Sequence, residues 1–365
     1  MIFLTGFPGF LGKEILPRLL QRDLNTQAIC LVQDRFMQQA KDALKELNKR
    51  YPNINIYSKV ELVVVDITDP LLGLGDSYSS YAQKVTSVYH FAAVYDLDVK
   101  RELAYKVNVD GTRHVLDFCK KCTKLERHHY VSTCYVSGNY KGLFKETDLE
   151  KGQTFNNFYD ETKYHAEVLV KNAMNAGMPT TIYRPAIVTG DSKTGETQKY
   201  DGPYFMLKWL MRFPRVGIFP TIGKGIENTM NIVPRDFIID AITALSGMKE
   251  SLGKTYNLAD PKPLTIEKIG EAMGKSLDRF IIKTPLPVNG EQAVWLFKKL
   301  PFIPEFMGLP TMSVTYFDHP TDYDTTESSK DLASVGIVCP HYGDYLDNIV
   351  RFLKANPTIS SKAMV

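Results

Sequence analysis

The feature that most constrains this chain stands at its start. Ile2 to Thr5 is a short apolar run, Thr5-Gly6-Phe7-Pro8-Gly9-Phe10-Leu11-Gly12 spaces three glycines as GxxGxxG, and an amphipathic helical pattern runs from Phe10 to Gln21. A strand that turns at once into a helix needs residues without a Cβ where the backbone folds tightly. The same turn leaves the first N–H groups of the helix unbonded, with the positive end of the helix dipole behind them, which suits a pyrophosphate. Glycine spacing alone is a weak signal. Its place between strand and helix makes Gly6, Phe7, Pro8, Gly9, Phe10, Leu11 and Gly12 candidates for binding a dinucleotide.

The rest of the first half repeats the theme. Strands are expected at 27–32, 60–65, 87–91, 129–132 and from Thr180, and helices at 36–50, 102–121 and 159–176. This alternation predicts an α/β fold, a Rossmann doubly wound parallel sheet with helices on both faces and its ligand beyond the carboxyl ends of the strands. Beyond the dinucleotide-binding domain of 1–195, Gly and Pro punctuate the chain heavily. A smaller substrate-binding part is expected from 196–228, 261–311 and 331–365, with segments near 229–260 and 312–330 returning to the first domain. Helices are expected at 235–247 and 265–274, a short strand at 255–258, and a frayed tail from Ser360 to Val365.

Bulk properties narrow the function. A net charge of +3, with no basic run interleaved with aromatics, argues against nucleic acid as a partner. No apolar stretch reaches the ~18 residues of a membrane-spanning helix, and the N-terminus lacks a secretory pattern. Five cysteines fit a reducing compartment, so the cytoplasm is expected. Cys119 and Cys122 form a CxxC pair, but no second pair or nearby His completes a metal site, and none is expected.

The end of the second expected strand, Gln33-Asp34-Arg35, bears on cofactor choice. A carboxylate such as Asp34 suits a free ribose 2′-hydroxyl, whereas Arg35 can pair bidentately with a 2′-phosphate. NADP(H) is favoured, with NAD(H) as the alternative. Asp66 and Ile67 close the third strand where an adenine amino group can be met, and the small Ala92 and Ala93 follow the fourth.

Tyr159-Asp160-Glu161-Thr162-Lys163 sets Tyr and Lys four residues apart, on one helix face. An ammonium beside a phenol favours its ionised form and brings it toward a useful acid/base range. The run Val131-Ser132-Thr133-Cys134-Tyr135-Val136-Ser137-Gly138 would project hydroxyls beyond the fifth strand, with Thr133 the preferred partner of a reacting oxygen and Ser132 its rival.

Taken with His90-Phe91-Ala92-Ala93, Asn108-Val109-Asp110-Gly111-Thr112 and Tyr183-Arg184-Pro185, these motifs resemble the extended short-chain dehydrogenase/reductases over essentially the whole chain. The resemblance implies Tyr159 as proton donor and acceptor, and Lys163 as a ligand of the nicotinamide ribose that lowers the tyrosine pKa. It further implies Thr133 as the group orienting substrate oxygen, Asn108 as support for the lysine through a water, and Pro185, Ala186, Ile187 and Val188 along the nicotinamide face.

Gly190-Asp191-Ser192-Lys193-Thr194-Gly195 resembles the thioester-reductase and fatty-acyl reductase branch, although Gln33 stands where such enzymes often carry Arg. The implied reaction is reduction of a carbonyl or acyl thioester, hydrophobic substrates included. A sugar-nucleotide epimerase/dehydratase, a hydroxysteroid-type dehydrogenase and a non-catalytic NAD(P) sensor are the alternatives. A homodimer would pair through helices 102–121 and 159–176. The apolar segment 295–307 is expected to pack, with substrate cover or membrane contact as its other readings.

Overall fold

The computed structural model describes residues 1–96, 99–222, 227–286, 288, 290–300, 308 and 311–361. Seven parallel strands form the central sheet: β1 (Ile2–Thr5), β2 (Ala28–Val32), β3 (Val60–Val64), β4 (Ser87–His90), β5 (Arg127–Val131), β6 (Thr180–Pro185) and β7 (Thr255–Leu258). Their spatial order is β3-β2-β1-β4-β5-β6-β7. The order reverses at β1, where β2 lies on one side and β4 on the other, and the crevice between their carboxyl ends is where such sheets take a ligand. Strands β1 and β2 are buried along their whole length, which accounts for their unbroken apolar or β-branched character, while the equally buried β6 carries Arg184, whose charge is paired.

Helices cover both faces. Helix α1 (Gly12–Arg22) buries Ile15, Leu16, Leu19 and Leu20 in the larger core, and α2 (Met37–Arg50) adds Ala40, Ala43, Leu44 and Leu47. The other face centres on Phe3, whose ring stacks on Phe118 with centroids 4.3 Å apart. Phe118 belongs to α3 (Gly111–Lys121). Cys119 and Cys122 are buried in the same cluster, and burial holds both thiols above the usual range. That makes them packing groups.

The helix expected at 102–121 is present and carries a π-helical turn. A short α-helix at Arg101–Ala104 passes through a π-helical turn at Tyr105–Asp110 before α3 begins. Side-chain chemistry accounts for the turn. Asn108 faces inward, where its Oδ1 accepts from Val94 N at 2.9 Å and its Nδ2 donates to Val94 O at 3.3 Å. Periodicity does not show such a bulge, because one extra residue per turn leaves the apolar pattern nearly unchanged.

The later segments weave between sheet and cover. Ile232–Pro234 pairs with Ile187–Thr189, and Thr321–Tyr323 with Gly142–Phe144, both parallel. Helix α4 (Phe158–Asn175) lies against the sheet. A second apolar cluster forms among α5 (Pro203–Met211), α7 (Ile266–Leu277) and α8 (Tyr342–Ala355). Helix α6 (Arg235–Gly247) and strand β7 fall where expected. In the segment at 295–307, Phe297 packs on Ala293 and Val314 while Trp295 is 61% exposed, and residues 301–307 lie outside the described ones, as do 362–365 of the expected tail. No described helix is long and apolar enough to cross a membrane.

Candidate active site

One cavity of about 440 Å³ begins at the glycine loop, passes the carboxyl ends of the central strands and continues beneath α5 and α7. Its first wall is the turn Gly6–Gly12. Gly6 has φ +86°, and a Cβ there would stand 2.8 Å from Ala92 N and from Phe91 C. The loop after β4 therefore packs directly on the backbone of the turn. Gly9 N donates to Gly6 O at 2.9 Å, and a Cβ on either Gly9 or Gly12 would overlap that same oxygen. Helix α1 starts with no side-chain cap at Leu11. This cradle, which side chains would fill, fits the pyrophosphate of a nicotinamide dinucleotide.

A buried polar chain fixes the loop after β4. Thr5 Oγ1 lies 2.7 Å from His90 Nδ1 and accepts from Ala92 N at 3.1 Å. His90 Nε2 lies 3.0 Å from Thr112 Oγ1, which donates to Asn108 O at 2.6 Å. Burial first, and the nearby Lys163 charge second, hold the His90 imidazole well below its usual range, so it is a neutral tie.

Gln33, Arg35, Ile67, Ala92, Ala93, Pro185, Ala186, Ile187 and Val188 line the cavity. Arg35 donates to Gln33 Oε1 through Nε at 3.0 Å and through a terminal nitrogen at 2.7 Å. Gln33 in turn donates to Asp66 at 3.1 Å, and Asp66 accepts from Thr68 N at 2.8 Å. Asp66 thus holds the glutamine and its own turn. Neither it nor the exposed Asp34 is among the cavity-lining residues.

Thr133, Tyr159 and Lys163 all line the cavity, supplied by the turn after β5 and the first turns of α4. Asn157 caps α4, its side chain accepting from Asp160 N at 2.8 Å. Ser132 also reaches the lining, but its hydroxyl donates to the buried Glu167 at 2.5 Å. Glu167 is ion-paired to Arg184 at 2.5 Å, both essentially without exposure. Thr133 also lines the cavity, and its hydroxyl donates only through a long bond, to Pro185 O at 3.5 Å. Thr133 Oγ1 accepts from Tyr135 N at 3.2 Å.

Lys163 lines the cavity with its head group already bonded. Its Nζ donates to Tyr130 Oη at 2.9 Å and to Val131 O at 2.8 Å, and burial pushes the amine down to about 7. The Tyr159 phenol is not lowered here. Burial raises it above the usual tyrosine range, and the carboxylates of Asp160 and Asp201 add to the effect. Sequence reasoning weighed only the ammonium, whereas the cost of burying a phenolate dominates. Asn108 does not line the cavity: 2% exposed, it binds the Val94 backbone and donates to Thr162 Oγ1 at 3.0 Å, so it braces α4 next to the lysine.

Several neighbours of Tyr159 carry no local motif. Tyr95 meets its ring edge-on at 5.0 Å, and the Lys199–Asp201 ion pair closes at 2.9 Å beside Tyr95. Tyr316 donates to Asp160 at 3.2 Å from 156 positions away. Burial raises the Asp160 carboxyl to about 7. The Gly190-to-Gly195 stretch, by contrast, is scaffold. Asp191 Oδ1 accepts from Lys193 N and Thr194 N at 2.9 Å each, and Ser192 N is bound by Asp236 at 2.8 Å. This knot of bonds precedes Thr197 and Lys199, which line the cavity.

A doubly wound sheet, a glycine cradle at its switch point and a Thr, Tyr and Lys set beside it define an NAD(P)-dependent oxidoreductase of the extended short-chain dehydrogenase/reductase type. Residues 4–242, more than half of the chain, match the family described as Male sterility protein, and the chain belongs to that family. The non-canonical nonribosomal peptide synthetase cpsA of Aspergillus campestris is 27% identical over 270 residues, covering 70% of this chain and 25% of that protein. Fatty acyl-CoA reductase wat of Drosophila melanogaster is 26% identical over 289 residues, covering 67% of this chain and 53% of that protein. The terminal R domain from the myxalamid PKS-NRPS biosynthetic pathway superimposes with a TM-score of 0.81 at 26% identity, over 98% of this chain and 90% of that one. The chain spans about a quarter of the length of the first of these relatives.

Proposed function

We propose that this protein reduces an acyl thioester to an aldehyde with NADPH, using Tyr159 as the acid. The observation that carries the reading is the single cavity that joins the glycine cradle to Thr133, Tyr159 and Lys163 and then runs on into an apolar compartment. A nicotinamide bound along Pro185 to Val188 supplies the hydride. Thr133 Oγ1 holds the carbonyl oxygen, and Tyr159 Oη passes its proton to that oxygen as charge develops there. The carbon–sulfur bond then breaks as the hydroxyl returns its proton to Tyr159 Oη and the carbonyl re-forms, and the departing thiolate takes the one net proton of the reaction from solvent. A phenol held protonated by burial, Asp160 and Asp201 suits the acid in this direction.

Lys163 keeps its amine beside Tyr130 and the end of β5, within the wall that the nicotinamide ribose would meet. The Arg35 and Gln33 pair at the far end would take the 2′-phosphate, which supports NADPH over NADH. The test follows nicotinamide absorbance with acyl-CoAs, aldehydes, sugar nucleotides and sterols. Thioester-dependent oxidation of NADPH that falls about 10²–10⁴-fold in Tyr159→Phe, with cofactor affinity kept, is the expected result. Turnover of thioesters at the wild-type rate by Tyr159→Phe would remove the tyrosine from the mechanism.

A further inference from the structure

The cavity does not stop at Tyr159. Past Ile187 and Pro203 its wall is built by Met206, Phe219, Met230, Ile266, Ile269 and Met273, none more than 7% exposed. Among the described residues, the charged groups that line the cavity are Arg35, Lys163, Lys199 and Asp201, and none of them belongs to this apolar stretch. An ammonium or carboxylate on a substrate side chain would lose its water there and find no partner. Methylene groups gain what such groups lose, and two of the three methionines lie on facing helices, α5 and α7, where their flexible side chains can adapt to a chain lying between them.

One part of this wall is different in kind. Phe219 is 1% exposed and sits on the strand Val216–Ile222. Behind its ring lies Gly270, in the middle of α7. A Cβ at Gly270 would stand 3.1 Å from two ring carbons of Phe219 and 3.2 Å from a third. The ring therefore rests flat on bare helix backbone, with no space to retreat. Glycine in a helix interior costs about 1 kcal/mol relative to alanine, and the close seat of this ring is what the position provides.

We infer that this compartment takes the unbranched hydrocarbon chain of the acyl group, and that Phe219, seated on Gly270, is the floor that limits its length. The inference rests on the acyl-thioester reading of the site. Two measurements keep their failures apart. The first is equilibrium displacement of a fluorescent fatty-chain probe by straight-chain alcohols from butanol to hexadecanol. The second is turnover of straight-chain acyl-CoAs from acetyl to palmitoyl, read as the ratio of kcat/KM for long chains to short.

In the wild type, affinity should rise about fourfold per methylene, the equivalent of about 0.8 kcal/mol per buried CH₂, and then stop rising at a limiting length. Phe219→Ala should move that break to longer chains. Gly270→Ala, which pushes the ring forward and strengthens the helix, should move it to shorter ones and lower the long-to-short ratio about tenfold. The glycine variant keeps the test open if removal of the ring unfolds the protein. Breaks that move as stated without any thioester turnover would support the floor and overturn the reductase reading. A break that stays put in a folded Gly270→Ala, or affinity without dependence on length, overturns the floor whatever the enzyme turns over.

Discussion

Lys163 Nζ lies 2.9 Å from the hydroxyl of Tyr130, with the ring of that tyrosine 4.5 Å away. The two residues come from α4 and β5, and their bond ties the helix that carries Tyr159 to the strand that leads into Thr133. Replacing Tyr130 with Phe keeps the ring and removes only the hydroxyl, leaving Val131 O as the other recorded acceptor. A loss of about 1–3 kcal/mol is expected for the weakened partner set of a buried nitrogen. Urea denaturation checks this, and the pH profile of turnover should shift with it. Unchanged stability together with an unchanged profile would separate the lysine from this tyrosine.

Gly12→Ala should cost both stability and cofactor. The new Cβ overlaps Gly6 O, the acceptor for Gly9 N, so the turn must open. Overpacking of this kind costs about 1–3 kcal/mol. The loss of cofactor affinity should exceed what the lower stability explains, because the displaced backbone is the proposed pyrophosphate seat. Titration of NADPH fluorescence against folded variant decides the matter, and wild-type affinity would remove the loop from the binding site.

Arg35→Ala should weaken NADPH far more than NADH. A charge-assisted bond to a phosphate contributes about 1.5–3 kcal/mol, so NADPH affinity should fall roughly 10- to 100-fold while NADH affinity changes little. Equal losses for both cofactors would show that Arg35 acts only by holding Gln33.

Asp160→Asn should remove a falling limb from the pH dependence of stability. The folded carboxyl keeps its proton to about 7, whereas the unfolded one loses it near 3.8. Between those values the unfolded chain binds fewer protons, so stability falls as pH rises. Lys163 acts in the opposite sense above that window. Lowered from 10.5 to about 7, it is neutral when folded and charged when unfolded, so stability climbs from pH 7 toward 10.5. Urea midpoints across pH for wild type and variant test both limbs. A falling limb that survives in Asp160→Asn refutes the assignment.

The local signals along the chain reach far. Alternating strand and helix patterns led to the parallel sheet, because strands such as β1 and β2 are buried on both sides and read as apolar or β-branched runs. The glycine spacing read correctly as a turn, since each Cβ it lacks would strike backbone. Tyr159 and Lys163 share a helix face by their separation alone. These are properties of neighbours in sequence, so one-dimensional pattern carries them.

What only the tertiary structure decided depends on groups far apart in the chain. Lys163 turns to Tyr130 and Asn108 to Val94, choices made by which acceptors the packed sheet leaves nearby. The phenol of Tyr159 is raised because desolvation depends on burial in the folded chain, which no spacing encodes. Gly190 to Gly195 proves to be a self-bonded support, although its sequence alone marks the branch. The apolar compartment, drawn from Met206 to Met273, exists only where α5 and α7 close over Phe219. Local chemistry is written in order along the chain; burial and partnership come into being when distant segments exclude water together.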